Sequence, residues 1–96
     1  MLIEAPYKVG DTVSIKLSSG EEMVCRLEEE NDTHVIVKKP MMLVAGQNGA
    51  GLAPFMFTVD MESKVKLANT SVICVVKTGK EPADMYLKST TGLQAV

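Results

Sequence analysis

His34 is the only histidine of the chain, and it follows Asn31, Asp32 and Thr33, residue types that favour a turn. An imidazole placed there can stack on an unpaired base and hydrogen-bond its edge, the common way of holding single-stranded RNA. It can equally be a half-exposed strand residue. Asn69 and Thr70 pose the same choice: an amide and a hydroxyl in a tight turn can read a base edge, yet both are ordinary turn formers that bond their own backbone.

Other chemistry finds less to stand on. Cys25 and Cys74 lie far apart, neither with a second Cys or a His at metal-ligand spacing, so no zinc or other metal site is expected. Each sits in an apolar segment, Met23-Val24-Cys25 and Ile73-Cys74-Val75, where a cysteine is expected to act as a small buried hydrophobe; a disulfide is the remaining use. The stretch Gly46-Gln-Asn-Gly49-Ala-Gly51 invites comparison with phosphate-cradling loops, but lacks the Lys-Ser/Thr and the helix that such loops need. One histidine, two cysteines and scattered carboxylates supply no nucleophile–base pair, so neither catalysis nor a cofactor is expected.

Charge narrows the partners. Ten Lys plus Arg against twelve Asp plus Glu give a net charge of −2 and a pI near 5.3, so any nucleic acid must meet a local patch. Glu21, Glu22, Glu28, Glu29, Glu30 and Asp32 fall in one stretch with only Arg26 to offset them, and that turn should repel phosphate. Lys38, Lys39, Lys64, Lys66, Lys77 and Lys80 follow this acidic stretch, and they can gather into a basic face or remain separately solvated. No apolar run nears the roughly 18 residues of a membrane span, and Glu4 spoils a signal peptide; a cytoplasmic protein with no membrane partner is expected.

The segments that carry these residues run mostly at a period of two. In residues 12–18, Val13, Ile15 and Leu17 alternate with polar residues, which predicts a strand with one buried face. Ser19-Gly20-Glu21 turns the chain, Gly20 tolerating positive φ, and Met23, Cys25 and Leu27 mark a second, antiparallel strand. A third spans 33–39 and is expected to end at Pro40, which has no N–H for a ladder. Three glycines between 46 and 54 predict a mobile loop, within a Gly-rich segment of about 45–54. Phe55, Phe57, Val59 and Met61 then alternate as a fourth strand, which Val65 and Leu67 continue after a break. Residues 72–76 form a fifth that does not alternate, so both its faces want burial. Pro6 and Gly10 limit the N-terminus to a turn, and a short C-terminal helix of about 82–91 opens at Glu81-Pro82-Ala83-Asp84 and stops at Gly92.

Ninety-six residues make one domain. The reading is all-β: a small, strongly bent five-stranded antiparallel barrel with a short C-terminal helix. The doubly apolar fifth strand leaves an apolar edge or face exposed in a monomer, so self-assembly is expected. Phe55, Phe57, Val72, Ile73, Cys74 and Val75 are the expected oligomer interface.

Val13-x-Ile15-x-Leu17-x-x-Gly20, followed by Cys25-Arg26-Leu27 and by Asn31-Asp32 before Val35-x-Val37, resembles the first motif of Sm-like proteins, small RNA-binding barrels. The likeness covers about residues 12–39; a second motif, about 65–77, agrees mainly in the order of its elements. Small barrels of the SH3 or OB type share the same alternation. The resemblance implies a closed homo-oligomeric ring, pentamer to heptamer, built by pairing the fourth strand of one subunit with the fifth of the next. It also implies single-stranded RNA as a partner, held by the turn near Asn31, Asp32 and His34 together with the turn near Asn69 and Thr70. A small divergent member of this kind would suit a bacteriophage genome. Three departures bear on the ligand: Cys25 stands where the family usually has Gly, the base-contacting Asn is replaced or displaced with His34 nearby, and Leu67-Ala68-Asn69-Thr70 replaces a turn that would carry an arginine. The other expectation is therefore a structural or assembly ring that binds protein and no nucleic acid.

Overall fold

The computed structural model describes residues 6–94; residues 1–4, read above against a signal peptide, lie outside them. Six strands and one helix follow in the order β1 (Thr12–Leu17), β2 (Glu22–Glu30), β3 (His34–Gly46), β4 (Gly49–Pro54), β5 (Val65–Ala68), a 3₁₀ turn (Asn69–Ser71), β6 (Val72–Lys77) and α1 (Lys80–Gln94). With six strands and one helix, the protein is mostly β. All pairings are antiparallel, in the order β4-β3-β2-β1-β6, with β5 on the same edge of β3 as β4. The sheet is bent but not closed: among the described residues β4, β5 and β6 each pair on one side only.

The alternation of β1 and β2 is realised as expected. Val13 faces Cys25 and Ile15 faces Met23 across the ladder, and with Leu17, Leu27, Val35, Val37 and Leu67 they form the main core. Tyr7, Phe55, Val65, Val72 and Val75 pack against its margin.

β3 departs from the expectation, because it does not end at Pro40. Arg26 pairs with Lys38 and Val24 with Met41, so Lys39 and Pro40 together oppose Cys25 alone. That is a β-bulge, one of the few sheet positions where a missing N–H costs nothing, and it bends the strand. Lys39 adopts φ 51, which costs an ordinary residue roughly 1–2 kcal/mol. The Tyr86 hydroxyl of α1 donates to its carbonyl at 2.7 Å and helps hold the kink. Before the kink β3 pairs with β5, through His34–Ala68 to Val37–Val65; beyond it, with β4, from Met41–Pro54 to Gly46–Gly49.

The mobile loop expected at 46–54 is thus a hairpin. Gln47 and Asn48 make its turn and Gly49 takes φ 106, so the glycines serve a tight reversal followed by the strand β4. The fourth strand expected from Phe55 to Met61 is instead an irregular connection. Its Phe55 N–H donates to the Pro40 carbonyl (3.0 Å) as β4 ends, then Asp60 collects the Glu62 N–H on its carboxylate (2.8 Å) and the Ser63 N–H on its carbonyl (3.0 Å). These local turns override the alternation. Val65 and Leu67 belong to the separate strand β5, so the sheet has six strands where five were expected.

Helix α1 is longer than the expected 82–91, starting at Lys80 and continuing through Gly92 to Gln94. It covers the outward face of β2 and β3, where Tyr86 packs with Val24 and Met41 as a second small core. Val24, which the alternation assigned to the solvent side, is therefore buried. Thr90 is buried beside it, its hydroxyl donating to the Tyr86 carbonyl at 3.0 Å. In β6 the doubly apolar run does not gain burial on both faces: Val72 and Val75 point to the core, while Ile73, Cys74 and Val76 are exposed. Cys74 is thus a surface thiol, against expectation, and Cys25 a core residue.

Candidate functional site

Two turns meet at one end of the sheet. Between β2 and β3 the chain reverses over Asn31–His34, closed by the Asn31 N–H donating to the His34 carbonyl at 3.0 Å. The 3₁₀ turn begins at Asn69, whose backbone N–H donates to the Thr33 carbonyl (3.0 Å) and whose side-chain amide donates to the Asn31 carbonyl (3.0 Å). The fold therefore brings Asn31, His34 and Asn69 together, although 38 positions separate Asn31 from Asn69. A third turn joins nearby, with the Ser18 N–H donating to the Ser71 carbonyl at 2.9 Å.

Asn31 organises the cluster. Its Oδ1 accepts from the backbone N–H groups of Thr33 (3.0 Å) and His34 (3.1 Å) and from the Thr33 hydroxyl (3.2 Å), an Asx turn that explains why this residue type stands here. Its Nδ2 donates to Glu29 Oε2 (2.9 Å) and lies 3.0 Å from His34 Nε2. An amide NH₂ can only donate, so Nε2 accepts, Nδ1 carries the ring proton, and Nδ1 donates to Thr33 Oγ1 at 2.9 Å. The imidazole is held at both nitrogens, which leaves its ring face as the group available to a ligand.

Thr33 completes this network and was not among the expected site residues; the Asn-x-Thr spacing of an Asx turn is the signal that points to it. Asp32 is exposed at the apex of its turn, and Thr70 is exposed on the 3₁₀ turn. The surroundings are acidic. Glu29, Glu30 and Asp32 are exposed beside the cluster, and Glu30 accepts from the Tyr7 hydroxyl at 2.8 and 2.9 Å. Burial of the Tyr7 ring edge, then this carboxylate, hold the phenol above its ordinary pKa.

Three of the six lysines that could form a basic face are held by carboxylates. Lys38 and Lys39 both reach Glu62 (3.7 and 3.3 Å), and Lys80 pairs with Asp84 (3.3 Å). Among the described residues no three His, Cys, Asp or Glu side chains stand together as a metal-binding group, and no helix is long and apolar enough to cross a membrane.

The residues expected at an oligomer interface divide in two. Phe55, Val72 and Val75 are half-buried against the main core, whereas Phe57 (82% exposed), Ile73 and Cys74 face outward. What the fold does present, among the described residues, is open strand edges on β4, β5 and β6, of which β5 and β6 are joined by the 3₁₀ turn. No family model matches the chain, and no curated protein matches it in sequence.

Proposed function

We propose that the protein is a divergent Sm-like subunit, its strands curled as a small barrel, that assembles into a closed homo-oligomeric ring and holds single-stranded RNA at the cluster of Asn31, His34 and Asn69. One observation carries this reading: among the described residues the path β5-β3-β2-β1-β6 ends in two open edges, and the single 3₁₀ turn between them abuts the Asn31–His34 turn. Open edges of four and six residues invite pairing between copies, β5 of one against β6 of the next. Leu67 and Val65 would then continue the apolar row of Val72 and Val75, and a head-to-tail contact of this type closes into a ring. Repetition around the ring would set the turn clusters side by side, each offering a half-exposed imidazole face to a base, with Asp32 and Thr70 at its margin.

A second reading, an assembly ring that binds protein and no nucleic acid, is favoured by a different observation. The Asn31 amide is consumed by its own turn and faces Glu29, so it cannot also read a base edge, and the neighbouring carboxylates repel phosphate. Anisotropy titrations with labelled uridine-rich and adenine-rich oligonucleotides at low and moderate salt separate the two. Stacking contributes roughly 1–3 kcal/mol per base, so RNA binding should persist at moderate salt and weaken in His34→Ala. Failure to bind at low salt, in a ring seen by light scattering, selects the assembly reading.

A further inference from the structure

The donors of the turn cluster are nearly all used within it. Both Asn31 Nδ2 hydrogens are spent, on Glu29 and on His34 Nε2, and the Thr33 hydroxyl and His34 Nδ1 hydrogens are spent inside the same turn. The backbone N–H groups of Asn31, Thr33, His34 and Asn69 are taken as well. Acceptors are left over. Among the described residues Glu29 Oε1 and the exposed Asp32 carboxylate receive no hydrogen bond.

Asn69 is the amide with an open edge. The atom that faces the Asn31 carbonyl at 3.0 Å must donate, which fixes Nδ2 there and leaves Oδ1 and the second Nδ2 hydrogen without a partner among the described residues. Its backbone is held by the Thr33 carbonyl, and its neighbour Ala68 pairs with His34, so the amide borders the imidazole. Uracil, with two carbonyl oxygens and one N–H, meets leftover acceptors mostly with acceptors of its own. Adenine carries an amino group at N6 beside the acceptor N7, the pattern that an Asn amide matches with Oδ1 and Nδ2 together. The carboxylates that repel phosphate favour the same amino group, and the two-ring base gives the larger face for stacking.

We infer that the cluster selects adenine over uracil: the base stacks on the His34 ring while Asn69 reads its amino edge, Oδ1 accepting from N6 and Nδ2 donating to N7. Asn69 is then the specificity-determining residue. The inference rests on the RNA reading, needs no contact between copies, and fails separately. Fluorescence anisotropy on the full chain at moderate salt compares oligonucleotides of adenosine, of uridine and of purine riboside, which keeps the adenine rings and N7 but lacks the amino group. Adenosine should bind about tenfold or more tightly than uridine, and purine riboside should lose most of that margin. Asn69→Ala should abolish the margin, whereas His34→Ala should weaken both oligonucleotides and keep it. Equal affinity for adenosine and uridine, or purine riboside bound as tightly as adenosine, overturns the inference and leaves RNA binding standing. A chain that binds none of the three at low salt overturns both.

Discussion

Replacing Asn31 by Ala and by Asp separates its work in the turn from any work on a ligand. The alanine variant removes the acceptor for the Thr33 and His34 backbone N–H groups at 3.0 and 3.1 Å, and both donors, to Glu29 and to His34 Nε2. All of these bonds are exposed and water replaces them in part, so each is worth about 0.5 kcal/mol and the loss about 1–2 kcal/mol. The aspartate variant keeps the acceptor, and with it the turn, but sets a carboxylate against Glu29, where repulsion at about 4 Å in water is about 1 kcal/mol and is screened by salt. The two variants therefore lose similar stability at low salt and diverge as salt is added: the aspartate variant recovers and the alanine variant does not. Urea unfolding followed by circular dichroism, at fixed protein concentration and with an unchanged m-value, is the assay. An Asn31→Ala chain as stable as the wild type, or an Asn31→Asp chain indifferent to salt, would refute the assignment of this amide to the turn.

Tyr86→Phe keeps the ring between Val24 and Met41 and removes only the hydroxyl that donates to the Lys39 carbonyl at 2.7 Å and reaches the Lys38 carbonyl at 3.5 Å, so it should lower stability by about 1 kcal/mol, against roughly 3–5 for Tyr86→Ala; a phenylalanine variant equal to the wild type in chemical denaturation would mean that the hydroxyl does not hold the kink. Burial pushes the Cys25 thiol up to about 12 from an ordinary 9.0. Below pH 9 both folded and unfolded chains keep the proton and nothing changes; above it the unfolded chain ionises first, so stability falls as pH rises, by about 2–3 kcal/mol near pH 11. Cys25→Ala should show a shallower alkaline decline in urea midpoints, and parallel pH curves for the two chains would sink the argument.

Local signals in the amino-acid order were enough for the first hairpin and for one turn. Val13, Ile15 and Leu17 against Met23, Cys25 and Leu27 specify β1, β2 and their shared buried face, because a period of two has only one register that buries all six. The same holds for the turn at Asn31, whose Asx bonds reach no further than His34. Tertiary structure decided the rest, wherever two distant segments share one answer. Pro40 reads as a strand end until the bulge opposite Cys25 removes the need for its N–H, and Val24 reads as solvent-facing until α1 lays Tyr86 over it. The 55–61 alternation was misleading because periodicity reports what a segment can bury, while the Asp60 turn and the demands of β5 settled what it does bury. Cys74 and Ile73 remain exposed for a related reason: β6 is an edge strand, and only another surface laid against it, from this chain or a second copy, can cover its outer face.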